Sequence, residues 1–200
     1  MKSFGIDHLQ EIEISQLWCS TLRGDRESFQ KLMEATYDLM FQFGHKFSRD
    51  RELIKDSIQD VFLEILEKRT RLSSDIPPKP YLLASLRRRL HRLEQRQRWM
   101  VPGDTETTGF EIEFSSEHYL ILSEEAGNIA RQMTSLMNEL PERQKEVVYL
   151  RFFQNLDRDE IADLMRIRPQ SVSNLLQAAF KWLRTQWKPV ISLLLTSFLC

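Results

Sequence analysis

From Asp50 onward, Leu53, Ile54, Ile58, Val61, Phe62, Ile65 and Leu66 recur at intervals of three and four, which is the period of one face of an α-helix. The same spacing governs Phe29, Leu32, Met33, Leu39, Met40 and Phe43, and again Leu82, Leu86, Leu90 and Leu93. No run alternates apolar and polar residues convincingly, so the chain is expected to be all-α. Its 200 residues, 42% of them hydrophobic and 28% charged, suffice for two small helical domains with buried cores.

Breaks between the periodic stretches set the organisation. Gly24 and Asp25 end the first helix, and Asp25 is placed to cap the second. The stretch RLSSDIPPKP holds three prolines and is expected to be non-helical. The segment from about Met100 to Glu117, with Gly, Thr and Glu, reads as a linker. In the second half, Pro141 opens a helix in its first turn. Val147, Val148, Leu150 and one of Phe152 and Phe153 supply its core. Asn155 suits a left-handed helix end. Asp157 and Glu160 have the spacing for reciprocal capping. Ile161, Ala162, Leu164 and Met165 follow, then Pro169 starts a helix that buries Val172, Leu175, Leu176 and Ala179. A small Ala162 facing Val172 suits two helices crossing through a short turn. The expected spans are a helical bundle over 1–99, an acidic flexible linker over 100–128, a helix-turn-helix over 129–188 and an apolar tail over 189–200. That tail, VISLLLTSFLC, is shorter than the roughly 20 residues a bilayer requires. It is expected to pack as a terminal helix or strand, with peripheral membrane contact or partner binding as the alternatives.

The formal net charge of −1 conceals strong local imbalance. Between Lys79 and Arg98 the cations Lys79, Arg87, Arg88, Arg89, Arg92, Arg96 and Arg98 face only Glu94. Such density exceeds that of an ordinary solvated face and suits a nucleic-acid stripe. Between Val101 and Glu125 there are seven acids and no Lys or Arg. Cys19 and Cys200 have no metal-binding spacing, which fits a reduced, cytoplasmic protein. The N-terminus, with Asp7, Glu11 and Glu13, does not read as a signal peptide. His8, His45, His91 and His118 are scattered, and no nucleophile set, metal set or Gly-rich phosphate loop is present. An enzyme, a cofactor, a metal site and a small-molecule substrate are therefore not expected.

Two helical faces stand out. Asp56, Gln59, Asp60 and Leu63 fall at i, i+3, i+4 and i+7 and share a face opposite the apolar stripe. Ile167 to Arg184 has the layout of the second helix of a helix-turn-helix. It lacks any cation between Arg168 and Lys181, although a helix meant for the major groove normally presents Arg or Lys in its first turns.

In its order of pieces the sequence resembles the extracytoplasmic-function (ECF) sigma factors, small two-domain members of the sigma-70 family. Region 2 of that family is matched by LWCSTLRGDRESFQKLMEATY, ELIKDSIQDVFLEILEKR and PYLLASLRRRLHRLEQRQR, and region 4 by LPERQKEVVYLRFFQNLDRDEIADLMRIRPQSVSNLLQAAFKWLR. The resemblance implies a bacterial transcription initiation factor that binds core RNA polymerase, through its largest and second-largest subunits, and directs promoter opening. It implies that Asp56, Gln59, Asp60 and Leu63 dock on the clamp helices of the largest subunit. It assigns promoter melting to a pocket built by Leu72 to Lys79 and Tyr81, with Arg87, Arg88, His91 and Arg92 along the strand; Tyr81 is equally read as a core aromatic. A connector in this family threads the polymerase toward the RNA path, which suits the acidic stretch. The recognition helix would present Arg168, Gln170, Ser171, Ser173, Asn174, Gln177 and Lys181 to promoter DNA. Relatives usually carry cations at several of these positions, and Gly where this chain has Arg166. Gln and Asn can still read adenine, but losing about three phosphate contacts weakens duplex binding by an order of magnitude or more. Leu175, Gln177, Ala178 and Phe180 suit a protein partner better. A DNA-bound activator, an RNA-guided DNA-binding protein and an anti-sigma factor all fit. The alternative is a helix-turn-helix regulator that is not a sigma factor, disfavoured because the first half shows no ligand or phospho-acceptor domain pattern.

Overall fold

The computed structural model describes residues 8–100, 109–112 and 124–197. Among the described residues there are helices and no strands, as the periodicity predicts. The chain divides into two compact units, one built on residues 1–109 and the other on residues 110–200 apart from Asp163–Arg166.

The first unit is a bundle of α1 (His8–Leu22), α2 (Arg26–Gly44), α3 (Arg51–Lys68) and α4 (Pro78–Met100), with a single 3-10 turn at Arg69–Arg71. Gly24, at φ +96°, closes α1, with the Asp25 N–H donating to Ser20 O at 3.1 Å. A left-handed glycine here avoids the steric cost of a Cβ. Asp25 then caps α2 by accepting from the N–H groups of Glu27 (3.2 Å) and Ser28 (3.3 Å). Asp50 caps α3 in the same way, from Glu52 at 3.0 Å and Leu53 at 3.1 Å. The core joins Trp18, Leu32, Met40, Phe43, Ile54, Ile58, Phe62, Leu82, Leu83 and Leu86, each at most 2% exposed. Gly44 is the close-approach point of α2, since a Cβ there would lie 2.6 Å from Ile54 Cγ2.

The second unit contains α5 (Glu124–Asn138), α6 (Glu142–Phe152), α7 (Arg158–Met165) and α8 (Pro169–Ser197). Its core includes Met137, Leu140, Val147, Leu150, Leu156, Ile161, Val172 and Ala179. Asn155 adopts φ +53° between α6 and α7, as expected of a residue that tolerates the left-handed region.

Three expectations are corrected. The stretch expected as linker over 100–128 is not all linker: Phe110 and Ile112 are buried at 1% and 0% exposure in the second unit, and α5 already begins at Glu124. The proline-rich stretch is not wholly non-helical, because Pro78 and Pro80 sit in the first turn of α4, where an absent N–H breaks no helical hydrogen bond. The tail does not start a new element at 189, since α8 continues through Ser197. Of the Phe152–Phe153 doublet, Phe153 is the half-buried member, stacked on the buried Tyr149, and Phe152 points outward at 56% exposure.

Candidate functional site

The outer face of α3 forms as its spacing predicts. Ile54, Ile58, Val61, Phe62 and Ile65 turn inward, leaving Asp56 and Gln59 exposed, Asp60 partly exposed and Leu63 exposed at 49%. Asp60 already has a partner: Arg89 of α4 donates from Nη2 to its Oδ2. One turn further along, a hydrogen bond from Lys68 lowers the Glu64 carboxyl below the usual range, against the raising effect of burial, and the fields of Lys68, Arg92 and Arg88 add to it. The acids of α3 thus face the cations of α4, and the basic block is partly compensated within its own bundle. A part-exposed pair such as Asp60–Arg89 contributes only about 0–1 kcal/mol to stability. Its main effect is to fix where both groups point.

The loop before α4 is held from the side by α1. Trp18 Nε1 donates to Ser73 O at 3.3 Å, Asp75 N donates to Ser73 Oγ at 3.1 Å, and Ile76 N donates to Ser73 O at 3.4 Å. The Tyr81 ring lies 5.4 Å from that of Trp18, and partial burial raises its hydroxyl above the ordinary tyrosine value. Tyr81 packs one side on Trp18 while remaining half-exposed. Arg88 is half-buried, donates to Ser85 Oγ at 2.8 Å, and is lowered from its ordinary pKa chiefly by burial. His91 packs edge-on against Phe47 at 5.4 Å, with Nδ1 3.7 Å from Glu94. Arg87 is half-buried and Arg92 is exposed. Lys79, expected to face a nucleic-acid strand, is corrected: it is 5% exposed, with its ammonium 3.6 Å from Glu11. A buried ammonium requires such a counter-charge.

In the helix-turn-helix, capping is reciprocal as the spacing predicts. Glu160 N donates to Asp157 Oδ1 at 2.8 Å, and Asp157 N donates to Glu160 Oε2 at 2.8 Å. Arg166 closes α7 at φ +55°, with Arg166 N on Asp163 O at 3.3 Å and Ile167 N on Ala162 O at 2.9 Å. That is the closure glycine serves best. Just before α8 Arg168 is exposed, and along α8 so are Gln170, Asn174, Gln177 and Lys181, while Ser171 and Ser173 are half-buried. Gln170 donates from Nε2 to Asn174 Oδ1 at 3.0 Å, so two amides suited to reading bases are paired with each other. Phe152 and Phe180, 56% and 38% exposed, form an edge-to-face pair at 5.5 Å. Beside them Gln177, Phe180, Lys181, Arg184 and Thr185 line a cavity of about 430 Å³.

Sequence reasoning missed Arg89 and Phe152. The i, i+4 placement of Asp60 and Glu64 beside an Arg-rich helix is the available signal for Arg89, and the Phe152–Phe153 doublet, of which a helix can bury only one member easily, is the signal for Phe152.

Among the described residues no His, Cys, Asp and Glu cluster is arranged to hold a metal, and no helix is long and apolar enough to cross a membrane. Residues 130–183 match the family model of sigma-70 region 4. No curated protein matches the sequence. The fold is similar to that of CnrH, solved in complex with the cytosolic domain of CnrY, with a TM-score of 0.56 and 13% identity over 88% of this chain and 98% of that one. At that identity the likeness is one of fold.

Proposed function

We propose that this chain, whose residues 130–183 match the sigma-70 region 4 model, is a sigma factor of the ECF type that binds core RNA polymerase through α3, opens promoter DNA with α4, and offers α8 chiefly to a protein. The observation that carries the last and most specific part is the exposed Phe152–Phe180 pair, formed between the end of α6 and an α8 that has no cation between Arg168 and Lys181. Water-exposed aromatic pairs gain by being covered, and aromatic residues are enriched where proteins meet. A duplex instead rewards cations that displace its counterions.

Docking on polymerase is supported by the outward grouping of Asp56, Gln59, Asp60 and Leu63. Acceptors around one exposed leucine suit a partner rich in arginine. Promoter opening is supported by Arg92 and the half-buried Arg87, Arg88 and His91 beside the anchored Ser73–Ile76 loop and Tyr81. Cations there hold phosphates while an unstacked base finds an aromatic neighbour, at an unstacking cost of about a few kcal/mol. CnrH was solved with the cytosolic domain of CnrY, and the shared fold supports an anti-sigma-type protein as one partner of this chain. A DNA-bound partner that recruits the factor from upstream is the second reading, favoured by the same lack of cations on α8.

Reconstitution with core polymerase tests the whole reading. Start sites are mapped on promoters that vary only in the upstream element, with and without candidate partners. Initiation that requires this chain and changes little across the upstream panel is expected. Strong dependence on the upstream sequence with no partner present rules out the partner-directed role of α8, and no initiation with any partner rules out the sigma reading.

A further inference from the structure

Residues Phe110–Ile112 lie inside the acidic connector, yet they are seated on the second unit as a bound peptide would be. Their exposure alternates: Phe110 and Ile112 are buried, while Glu111 is half-exposed. Asn138, the last residue of α5, reads Ile112 in both directions, accepting its N–H on Oδ1 at 2.8 Å and donating from Nδ2 to its carbonyl at 2.9 Å. One side-chain amide thus does what a neighbouring β-strand does for an extended chain. The Phe110 ring meets that of Tyr149 edge-on at 5.5 Å, and the Phe110 N–H points to Glu142 Oε1 at 3.5 Å.

We propose that Asn138, Glu142 and Tyr149 form a binding site for an extended peptide of the pattern aromatic, any residue, aliphatic, and that the chain's own Phe110–Ile112 is its releasable occupant. The polar contacts go to backbone groups, and the two buried side chains supply the apolar contact. Release is feasible because burying two apolar side chains gains about as much as ordering three residues costs. The occupant acts as a latch on the connector. When it is closed, nine residues (101–109) join the end of α4 at Met100 to the first seated residue, and when it is open, 23 residues (101–123) run to α5 at Glu124. The greatest span the connector allows then rises from about 35 Å to about 80 Å. This inference goes beyond the roles proposed for α3, α4 and α8 and depends on none of them.

Hydrogen exchange on the full chain provides the first test. The Ile112 amide is expected to exchange at least about tenfold slower than an unstructured amide, yet at least about tenfold faster than that of Leu150, whose release follows opening of α6. Asn138→Ala abolishes the slowing at Ile112 and leaves α6 unchanged, and Asn138→Asp, which keeps the acceptor, retains part of it. The second test uses a labelled synthetic peptide of residues 106–115. A full-length Phe110→Ala/Ile112→Ala variant, folded by circular dichroism, is expected to bind it at least about tenfold more tightly than the parent, whose tethered segment holds the site at millimolar effective concentration. This arm decides the matter if Asn138→Ala fails to fold. Equal or absent peptide binding by parent and variant overturns the proposal, as does unslowed Ile112 exchange, Ile112 exchange unchanged in Asn138→Ala, or exchange as slow as that of Leu150, which makes the segment a fixed part of the fold.

Discussion

Tyr149 shows how one buried hydroxyl sets a pH limit. Burial pushes it up to about 12, although the hydrogen bond it accepts from Gln154 Nε2 at 2.9 Å acts in the opposite direction. A raised folded-state pKa means that the stabilisation is complete below the unfolded value near 10 and is lost as pH climbs from there toward about 12. The loss amounts to about 2–3 kcal/mol. Tyr149→Phe is expected to cost about 1 kcal/mol at neutral pH by depriving Gln154 of its acceptor, and to remove this alkaline loss. Urea unfolding at pH 7, 10 and 11.5 checks both. Arg166 is the complementary backbone case, a side chain placed at φ +55°. Arg166→Gly is expected to stabilise the chain by about 0.5–1 kcal/mol, read from the same urea midpoints, because glycine adopts this conformation without steric cost.

At the scale of elements, the helices were legible because their evidence is local. Period, caps and breakers lie within one turn of where they act, so Asp25, Asn155 and the Asp157–Glu160 box do in the structure what their spacing predicts. Contacts that cross elements were not legible. Trp18 to Ser73 spans 55 residues with no spacing rule to link them, and Asp60 to Arg89 spans 29, signalled only by two acids one turn apart and an Arg-rich helix elsewhere in the chain. Lys79 read as part of a basic stripe, because nothing near it in sequence shows the Glu11 that neutralises it. Phe110 and Ile112 were hidden by their acidic surroundings, although their i, i+2 spacing is that of an extended strand. Two elements lead to predictions. On α4, Arg88→Ala/Arg92→Ala is expected to slow open-complex formation on duplex promoters by about tenfold or more, and much less on pre-melted templates; permanganate reactivity of unpaired thymines reads both, since the lost cations act during strand capture. On α8, arginine at Ser173 and Ala178 is expected to raise duplex affinity and steepen its salt dependence by about one to two in log–log slope. Titrations of the full chain at several salt concentrations measure that slope.

For the whole molecule, the test of the docking reading is a charge swap. Asp60→Arg is expected to abolish capture of core polymerase while leaving the helical circular dichroism of the parent. Adding Arg89→Asp rebuilds the internal pair in reverse and relieves repulsion within the bundle, but capture stays lost if the polymerase reads a carboxylate at position 60. Recovery of capture in the double variant would mean that the pair merely shapes α3. The parental pair also has a consequence for assembly. In the unbound chain Arg89 occupies Asp60, so a polymerase arginine that takes this carboxylate displaces a guanidinium already there. On the proposed docking, association would be an exchange of one cation for another, with nearly the same number of ion pairs before and after. Added salt screens both sides of such an exchange alike, so a contact of this kind would favour a matching partner over a generic basic surface without making the complex brittle to ionic strength.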